Sequence, residues 1–421
     1  MRAAIETLGC KVNQYETQLM AEKLAAAGYD LVDSAQEAEV YIVNSCTVTA
    51  ESDRKTRQTV RRLKRLHPHA LVVLCGCMPQ AQPSAGLALP QADIVLGNAG
   101  KEDIATILAQ HFQGNCMRKS VRDFDGAPAF SQGISDFRER TRAYVKIEDG
   151  CDRFCSYCIV PHARGRVRSK PPESIRAECA ALADAGFAEL VLVGINLSAY
   201  GKGLDIDLGD AVAVAAEDAR ILRVRLGSLE PDHLTPALLT RLRGIPKLCP
   251  QFHISLQSGC DATLHRMNRH YGTAEYRALC AALRADFPDC TLTTDVMVGF
   301  PGESEADFSE SLAFVQEIAF EKVHIFPYSP RANTPAAAMP QQVEKAEKEQ
   351  RCRALLDAAQ AIRERCLQAQ IDRVLTVLPE EDAKGHSANY TPVRILGGVQ
   401  TGKLVDVRIL GVDGDWCVGK A

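Results

Sequence analysis

The chain of 421 residues contains no run of 18 apolar residues free of charge, which excludes a transmembrane helix of ordinary length. Its opening, Met1-Arg2-Ala3-Ala4-Ile5-Glu6-Thr7, lacks the apolar core of a secretion signal and reads directly as a strand. A cytoplasmic protein with no membrane partner is therefore expected. There is no excess of positive charge either: 49 Lys and Arg against 53 Asp and Glu leave a net charge of −4. Any contact with nucleic acid must then come from a local patch, because the whole molecule exerts no attraction. With 46% hydrophobic and 24% charged residues, the composition is that of a globular chain long enough for two or three domains. Cysteine is plentiful by contrast, at sixteen. In a chain that is not secreted, that number argues for metal binding and against a disulfide framework.

Three of these cysteines, Cys151, Cys155 and Cys158, form a CxxxCxxC triplet just after a strand-like run at 143–147. A fourth cysteine is missing from this loop. Three thiolates can hold three irons of a cubane cluster and leave the fourth iron open, whereas an electron-transfer cluster takes four. An open iron is what S-adenosylmethionine needs in order to chelate and be cleaved to a radical. Zinc sites favour paired CxxC spacings and four protein ligands, so the triplet fits zinc poorly. Buried structural thiols are the remaining alternative.

Upstream, apolar runs at 3–8, 40–43, 71–74 and 94–96 alternate with helical patterns at 16–27, 54–66 and 102–111. The alternation predicts an open parallel α/β sheet. Cys10, Cys46 and Cys77 each follow one of the first three runs, so all three fall in loops at the carboxyl edge, where such sheets build sites. One cysteine there could be a small buried hydrophobe. Three with the same placement, beside Gly9 and Gly76, predict a second three-thiolate site. Cys75 competes with Cys77 as its third ligand, but alternation puts Cys75 at the strand end and Cys77 in the loop.

From residue 143 onward, six strand candidates appear at 143–147, 190–193, 222–226, 252–256, 292–298 and 322–326. Helical stretches separate several of them, which predicts a partial (β/α)6 barrel with its site at the strand C-termini. Gly194, Asn196, Ser228, Glu230 and Gln257 stand there, as candidates to hold the amino acid and ribose of a nucleoside cofactor. A charged helix at 343–370 leads to short β-like runs with glycine turns, which predict a small β-barrel of about five strands. The expected domains are 1–115, a linker at 116–140, 141–366 and 367–421.

One patch is strongly basic: Arg54, Lys55, Arg57, Arg61, Arg62, Lys64 and Arg65, with no acidic residue among them. A solvated helix face is the usual fate of such a run. Seven cations without acidic partners repel one another, however, and phosphate contact accounts for them better. A second group, Arg164, Arg166, Arg168 and Lys170, follows the triplet loop and suits either RNA or the cluster and its cofactor. The tail beyond residue 366 has six Lys and Arg against seven Asp and Glu and is not basic.

Two cysteine triplets in this order, followed by a small β-barrel, resemble the radical S-adenosylmethionine methylthiotransferases, and the resemblance covers nearly the whole chain. It implies an N-terminal methylthiotransferase domain, a radical S-adenosylmethionine barrel and a C-terminal TRAM-like barrel. The implied cofactors are two [4Fe-4S] clusters, on Cys10, Cys46 and Cys77 and on Cys151, Cys155 and Cys158, together with S-adenosylmethionine. Thr7-Leu8-Gly9-Cys10-Lys11-Val12-Asn13-Gln14-Tyr15-Glu16-Thr17 is similar to the branch that acts on N6-threonylcarbamoyladenosine in tRNA. So is Cys158-Ile159-Val160-Pro161-His162-Ala163-Arg164-Gly165-Arg166-Val167-Arg168-Ser169-Lys170, where His162 replaces the usual tyrosine. The expected activity is methylthiolation of C2 of that adenosine, next to the anticodon. Expected partners are the tRNA anticodon stem-loop, an electron donor such as flavodoxin or ferredoxin, and a sulfur source. Three alternatives remain open: isopentenyladenosine in tRNA, a ribosomal-protein aspartate, and a non-catalytic iron–sulfur protein that binds RNA or handles electrons.

Overall fold

Strands β1 (Arg2–Thr7), β2 (Asp30–Leu31), β3 (Val40–Ser45), β4 (Leu71–Gly76), β5 (Ile94–Leu96) and β6 (Lys119–Ser120) form one wholly parallel sheet. The computed structural model describes residues 1–115, 119–121, 130–137 and 140–421. Strands β3 and β4 are apolar on both faces, because helices cover both faces of the sheet. Val40, Ile42 and Val73 pack with Met20 and Leu24 of α1 (Lys11–Ala26). Tyr41, Val43 and Val72 pack on the other side with Val60 and Leu63 of α2 (Ala50–Leu66). The strand order is β2-β1-β3-β4-β5-β6. From β1 the chain runs outward to β2 on one side, then returns to β3 on the other. The loops after β1 and β3 therefore part at a topological switch point, where open α/β sheets leave a crevice for ligands.

The next strands are β7 (Ala143–Lys146), β8 (Glu148–Asp149), β9 (Arg168–Ser169), β10 (Glu189–Val193), β11 (Arg223–Leu226), β12 (Ser228–Leu229), β13 (Gln251–Ile254), β14 (Thr291–Val298) and β15 (Lys322–Pro327). Two parallel sheets, β11-β10-β7 and β12-β13-β14-β15, account for all six predicted barrel strands. The third of these is split at Gly227, whose amide donates instead to Leu192 O at 2.8 Å. Beyond the helix Lys345–Gln368, strands β16 (Val374–Pro379), β17 (Lys384–Ser387), β18 (Pro392–Leu396), β19 (Val405–Asp413) and β20 (Trp416–Lys420) close a barrel in the order β16-β17-β18-β20-β19. Its core is Val377, Val393, Ile395, Val407, Ile409 and Cys417. The buried Arg225 ties β11 to this barrel. It donates to Glu189 Oε1 at 2.9 Å and to the carbonyls of Ser387 and Ala388.

Packing divides the chain differently from its sequence pattern. One compact unit comprises Met1–Ile134, Glu148–Lys170 and Ser329–Ala337. The other comprises Ser135–Ile147, Pro171–Tyr328 and Ala338–Ala421. Both cysteine triplets thus belong to the first unit, whereas the barrel strands and the small barrel belong to the second. Of the linker expected at 116–140, residues 116–118, 122–129 and 138–139 lie outside the described residues.

Candidate metal centre

Each cysteine of the first triplet leaves its strand where the sheet ends. Cys10 follows β1 and is the N-cap of α1, Cys46 follows β3, and Cys77 opens the short helix α3 (Cys77–Ala81) after β4. Hydrogen bonds between the loops draw these positions together. Asn13 Nδ2 donates to Leu8 O at 2.7 Å and Ser45 O at 3.0 Å, which joins the first loop to the second. Ser45 Oγ donates to Cys75 O at 2.6 Å and accepts from Met78 N at 3.1 Å, which joins the second to the third. Gly9, at φ +108°, leaves so little room that a Cβ there would sit 2.8 Å from Cys46 Cβ and 3.0 Å from its sulfur. A Gly9→Ala variant is expected to lose about 1–3 kcal/mol from backbone strain alone, measured by denaturation, and to bind less iron.

Cys75 is on the wrong side of this arrangement. It is fully buried in the sheet core beside Val73 and Leu96, and burial pushes its thiol up to about 12. A Cys75→Ser variant is expected to keep its full iron content on metal analysis.

Arg164 acts electrostatically on all three thiols. It is fully buried, and its guanidinium reaches Glu16 Oε1 at 2.5 Å, Glu16 Oε2 at 3.1 Å, Asn13 Oδ1 at 2.6 Å and Asp149 at 3.5 Å. Burial would lower its pKa, but Cys77, Glu16 and Asp149 outweigh it and hold the group charged. Burial likewise raises the thiols of Cys10 and Cys46, and in both cases Arg164 pulls them back down. Cys77 opposes Arg164 at each, as like charges must. Cys10 is exposed as a residue, although burial is the main influence on its thiol. Lys101 Nζ adds a second buried cation, 2.5 Å from Glu16 Oε2. Three thiolates beside fixed positive charge form a donor set suited to a cluster.

The second triplet lies in a loop closed on itself. The Cys151 amide donates to Gly165 O at 3.0 Å and the Cys158 amide to Cys155 O at 2.9 Å. Gly150, at φ +95°, passes so near Arg166 O that no Cβ could fit. Cys155 is buried, while Cys151 and Cys158 are half-buried. The helix Val160–Arg164 that follows packs Ile159 and Ala163 against Cys77 and Ala81, so the two cysteine regions share a small apolar cluster. Asn98 Nδ2 spans the same contact, donating to Ala163 O at 2.7 Å and lying 3.5 Å from Cys77 Sγ.

These contacts bear on the second basic group, which the sequence left open between RNA and the cluster. Arg164 and Lys170 are buried, and Lys170 Nζ meets the Tyr15 hydroxyl at 3.0 Å. Arg168 pairs with Asp149 at 3.2 Å, and only Arg166 of the four is well exposed, at 77% of its side chain. Arg164, Arg168 and Lys170 are thus engaged inside the first unit. The premise of the first patch needs correction, because three of its cations do have acidic partners. Arg54 pairs with Glu51, Arg62 with Glu6 at 2.6 Å, and Lys64 with Asp93 at 2.8 Å. Lys55, Arg57, Arg61 and Arg65 make no ion pair among the described residues. Lys55, Arg61, Arg62, Lys64 and Arg65 line an open groove of about 870 Å³.

In the second unit, Gly194 and Asn196 follow β10, Ser228 lies in β12, and Glu230 and Gln257 follow β12 and β13. All five are thus at one end of the parallel strands. Gln257, at φ +67°, bridges to β14 through the Asp295 carbonyl and the Met297 amide. The Glu230 carboxylate is engaged by Arg269, which also stacks on Tyr271. A further region of this unit gathers aromatic and charged side chains. Arg142, Tyr144, Glu380, Lys384, His386 and Trp416 line a cavity of about 630 Å³ beside the small barrel. Arg225 lies over the Tyr390 ring at 4.7 Å and Lys384 over Trp416 at 5.8 Å.

Residues 145–315 match the radical SAM superfamily, and residues 2–97 match a family described only as uncharacterized protein family UPF0004. The threonylcarbamoyladenosine tRNA methylthiotransferase MtaB of Bacillus subtilis (strain 168) is 35% identical, over 97% of this chain and 93% of its own. The protein of the same name from Thermotoga maritima is 38% identical over 89% and 86%. A tRNA-2-methylthio-N(6)-dimethylallyladenosine synthase of Clostridium botulinum is 33% identical over 96% and 92%. Among solved structures, the radical S-adenosylmethionine methyltransferase TsrM from Kitasatospora setae shares the fold, with TM-score 0.58 at 15% identity over 80% of this chain and 77% of that one. The fold and the paired triplets define a radical S-adenosylmethionine enzyme. Within that class, the chain belongs to the MtaB-like methylthiotransferase family.

Proposed function

We propose that this protein methylthiolates C2 of N6-threonylcarbamoyladenosine beside the anticodon of tRNA. The observation that carries the reading is the interlock of the two segments similar to that branch. Asn13 and Glu16, which follow Cys10, hold Arg164, which follows Cys158. Tyr15 holds Lys170 in the same way. Cys10, Cys46 and Cys77 would hold one [4Fe-4S] cluster, and Cys151, Cys155 and Cys158 the other. When bound, the second with S-adenosylmethionine would supply a 5′-deoxyadenosyl radical, and the first would carry the sulfur to be transferred, drawn from the cluster or from an added sulfide. The chain's own part is to keep the thiolates beside a fixed charge and away from water, through Arg164, Lys101 and the apolar contact of Cys77 with Ile159 and Ala163. Gly194, Asn196, Ser228, Glu230 and Gln257 are proposed to bind the nucleoside cofactor. Electrons would come from a donor such as flavodoxin or ferredoxin.

The groove on α2 is proposed as the phosphate-tracking surface, and the aromatic cavity beside the small barrel suits an unstacked base. Each unpaired cation removed, as in Lys55→Ala, Arg61→Ala or Arg65→Ala, is expected to flatten the log–log salt dependence of tRNA binding by about one unit. Arg62→Ala should change it less, because Glu6 already neutralises that guanidinium. Unchanged slopes in all the variants would return the patch to a solvated face and favour a protein substrate. Substrate choice is tested by anaerobic reaction with anticodon stem-loops bearing either N6-threonylcarbamoyladenosine or N6-isopentenyladenosine. The first should be converted at least about tenfold more efficiently, a transition-state difference of ~1.4 kcal/mol. An equal or reversed preference would contradict the assignment.

A further inference from the structure

The partial barrel carries a cluster of ligand-type side chains that neither cysteine triplet explains. His253, Asp295 and His324 stand on the adjacent parallel strands β13, β14 and β15, with His253 in register with Thr293 and Asp295 in register with His324. Strand alternation buries Phe252, Ile254, Val296 and Val323 on one face and places the three polar residues on the other, less buried face. One ligand atom from each of the three lies within 4.8 Å of the others.

We propose that these residues form a binding site for a divalent first-row transition metal ion. Two imidazoles and one carboxylate are a donor set that zinc(II) and iron(II) accept while keeping further positions open. The orientation of His253 adds a second, independent argument. Its Nδ1 lies 2.9 Å from Thr293 Oγ1, and its Nε2 faces Asp295 Oδ2 at 3.3 Å. A hydrogen bond that fixes one ring nitrogen and so aims the other at the donor cluster is the kind of outer support a metal-binding histidine has, here from a hydroxyl where a carboxylate, carbonyl or water is more usual. An ordinary His–Asp hydrogen bond would need only these two residues. His324 is brought in by a separate strand, with its ring 5.7 Å from that of His253 at an interplanar angle of 54°. Open positions on such an ion take water or an oxygen-donor ligand.

Zinc(II) is the probe, because it can be counted apart from cluster iron. Enzyme with both clusters assembled anaerobically is equilibrated with zinc(II), freed of excess metal and analysed for zinc and iron. The wild type should retain about one zinc per chain, and its zinc K-edge absorption should show nitrogen and oxygen neighbours without sulfur. His324→Ala and Asp295→Asn should each weaken zinc binding at least tenfold with iron unchanged. His324 is exposed, so its loss leaves the fold intact, and unchanged iron confirms this for both variants. Failure of the wild type to retain zinc, sulfur ligation of the retained zinc, or equal retention by both variants would overturn the proposal.

Discussion

Replacing Cys10, Cys46 and Cys77 together with alanine is expected to remove about half of the roughly eight irons of the reconstituted protein and to abolish methylthiolation. Cleavage of S-adenosylmethionine should persist, uncoupled from product. The partner variant, with Cys151, Cys155 and Cys158 changed to alanine, should lose the other half of the iron and all cleavage. The asymmetry follows from the donor sets. Each triplet is complete in itself, and the thiols of the first are coupled to one another and to Arg164. Cys75 cannot substitute for Cys77, because its thiol lies in the apolar core and resists ionisation. Full iron in the first variant would mean that the three loops do not form one site.

The second large effect concerns Arg164. Arg164→Met should destabilise the protein by about 1.5–3 kcal/mol, since it removes the buried charged hydrogen bonds to Glu16 and Asp149 and leaves those carboxylates with Lys101 and Arg168 alone. Against a typical total of about 5–15 kcal/mol, that is a large fraction. Arg164→Lys retains the charge but cannot reach both oxygens of Glu16 and Asn13 Oδ1 together, so an intermediate loss is expected. Scanning calorimetry of the iron-free proteins measures both without interference from metal binding. A change below about 1 kcal/mol for Arg164→Met would show that the buried network contributes little to folding.

The main architecture was legible because it rests on apolar periodicity. The runs at 40–43 and 71–74 are hydrophobic throughout, as strands buried on both faces must be, and they became β3 and β4. Strand β17 was not legible: Lys-Gly-His-Ser carries no alternation, and it is a strand only because β16 and β18 pair with it. The metal centre was half legible. Position after a strand marked Cys10, Cys46 and Cys77, but nothing local distinguishes Arg164, which must cross 148 residues of sequence to meet Glu16. A charge count left Arg164 and Lys170 open between RNA and the cluster, since composition does not report burial. The same limit hid the acidic partners Glu6 and Asp93 of the α2 patch, which lie in β1 and just before β5. His253, Asp295 and His324 left a faint trace, one His or Asp in each of three neighbouring strands, whose meaning depends on register.

The central claim is the substrate, and nucleoside mass spectrometry of bulk tRNA tests it most directly. A strain lacking this gene should accumulate N6-threonylcarbamoyladenosine and lose its 2-methylthio derivative, while 2-methylthio-isopentenyladenosine is unaffected. Restoring the wild-type chain, but not the Cys151, Cys155 and Cys158 alanine variant, should bring the derivative back. Persistence of 2-methylthio-N6-threonylcarbamoyladenosine in the deletion strain, or loss of the isopentenyl derivative in its place, would contradict the account.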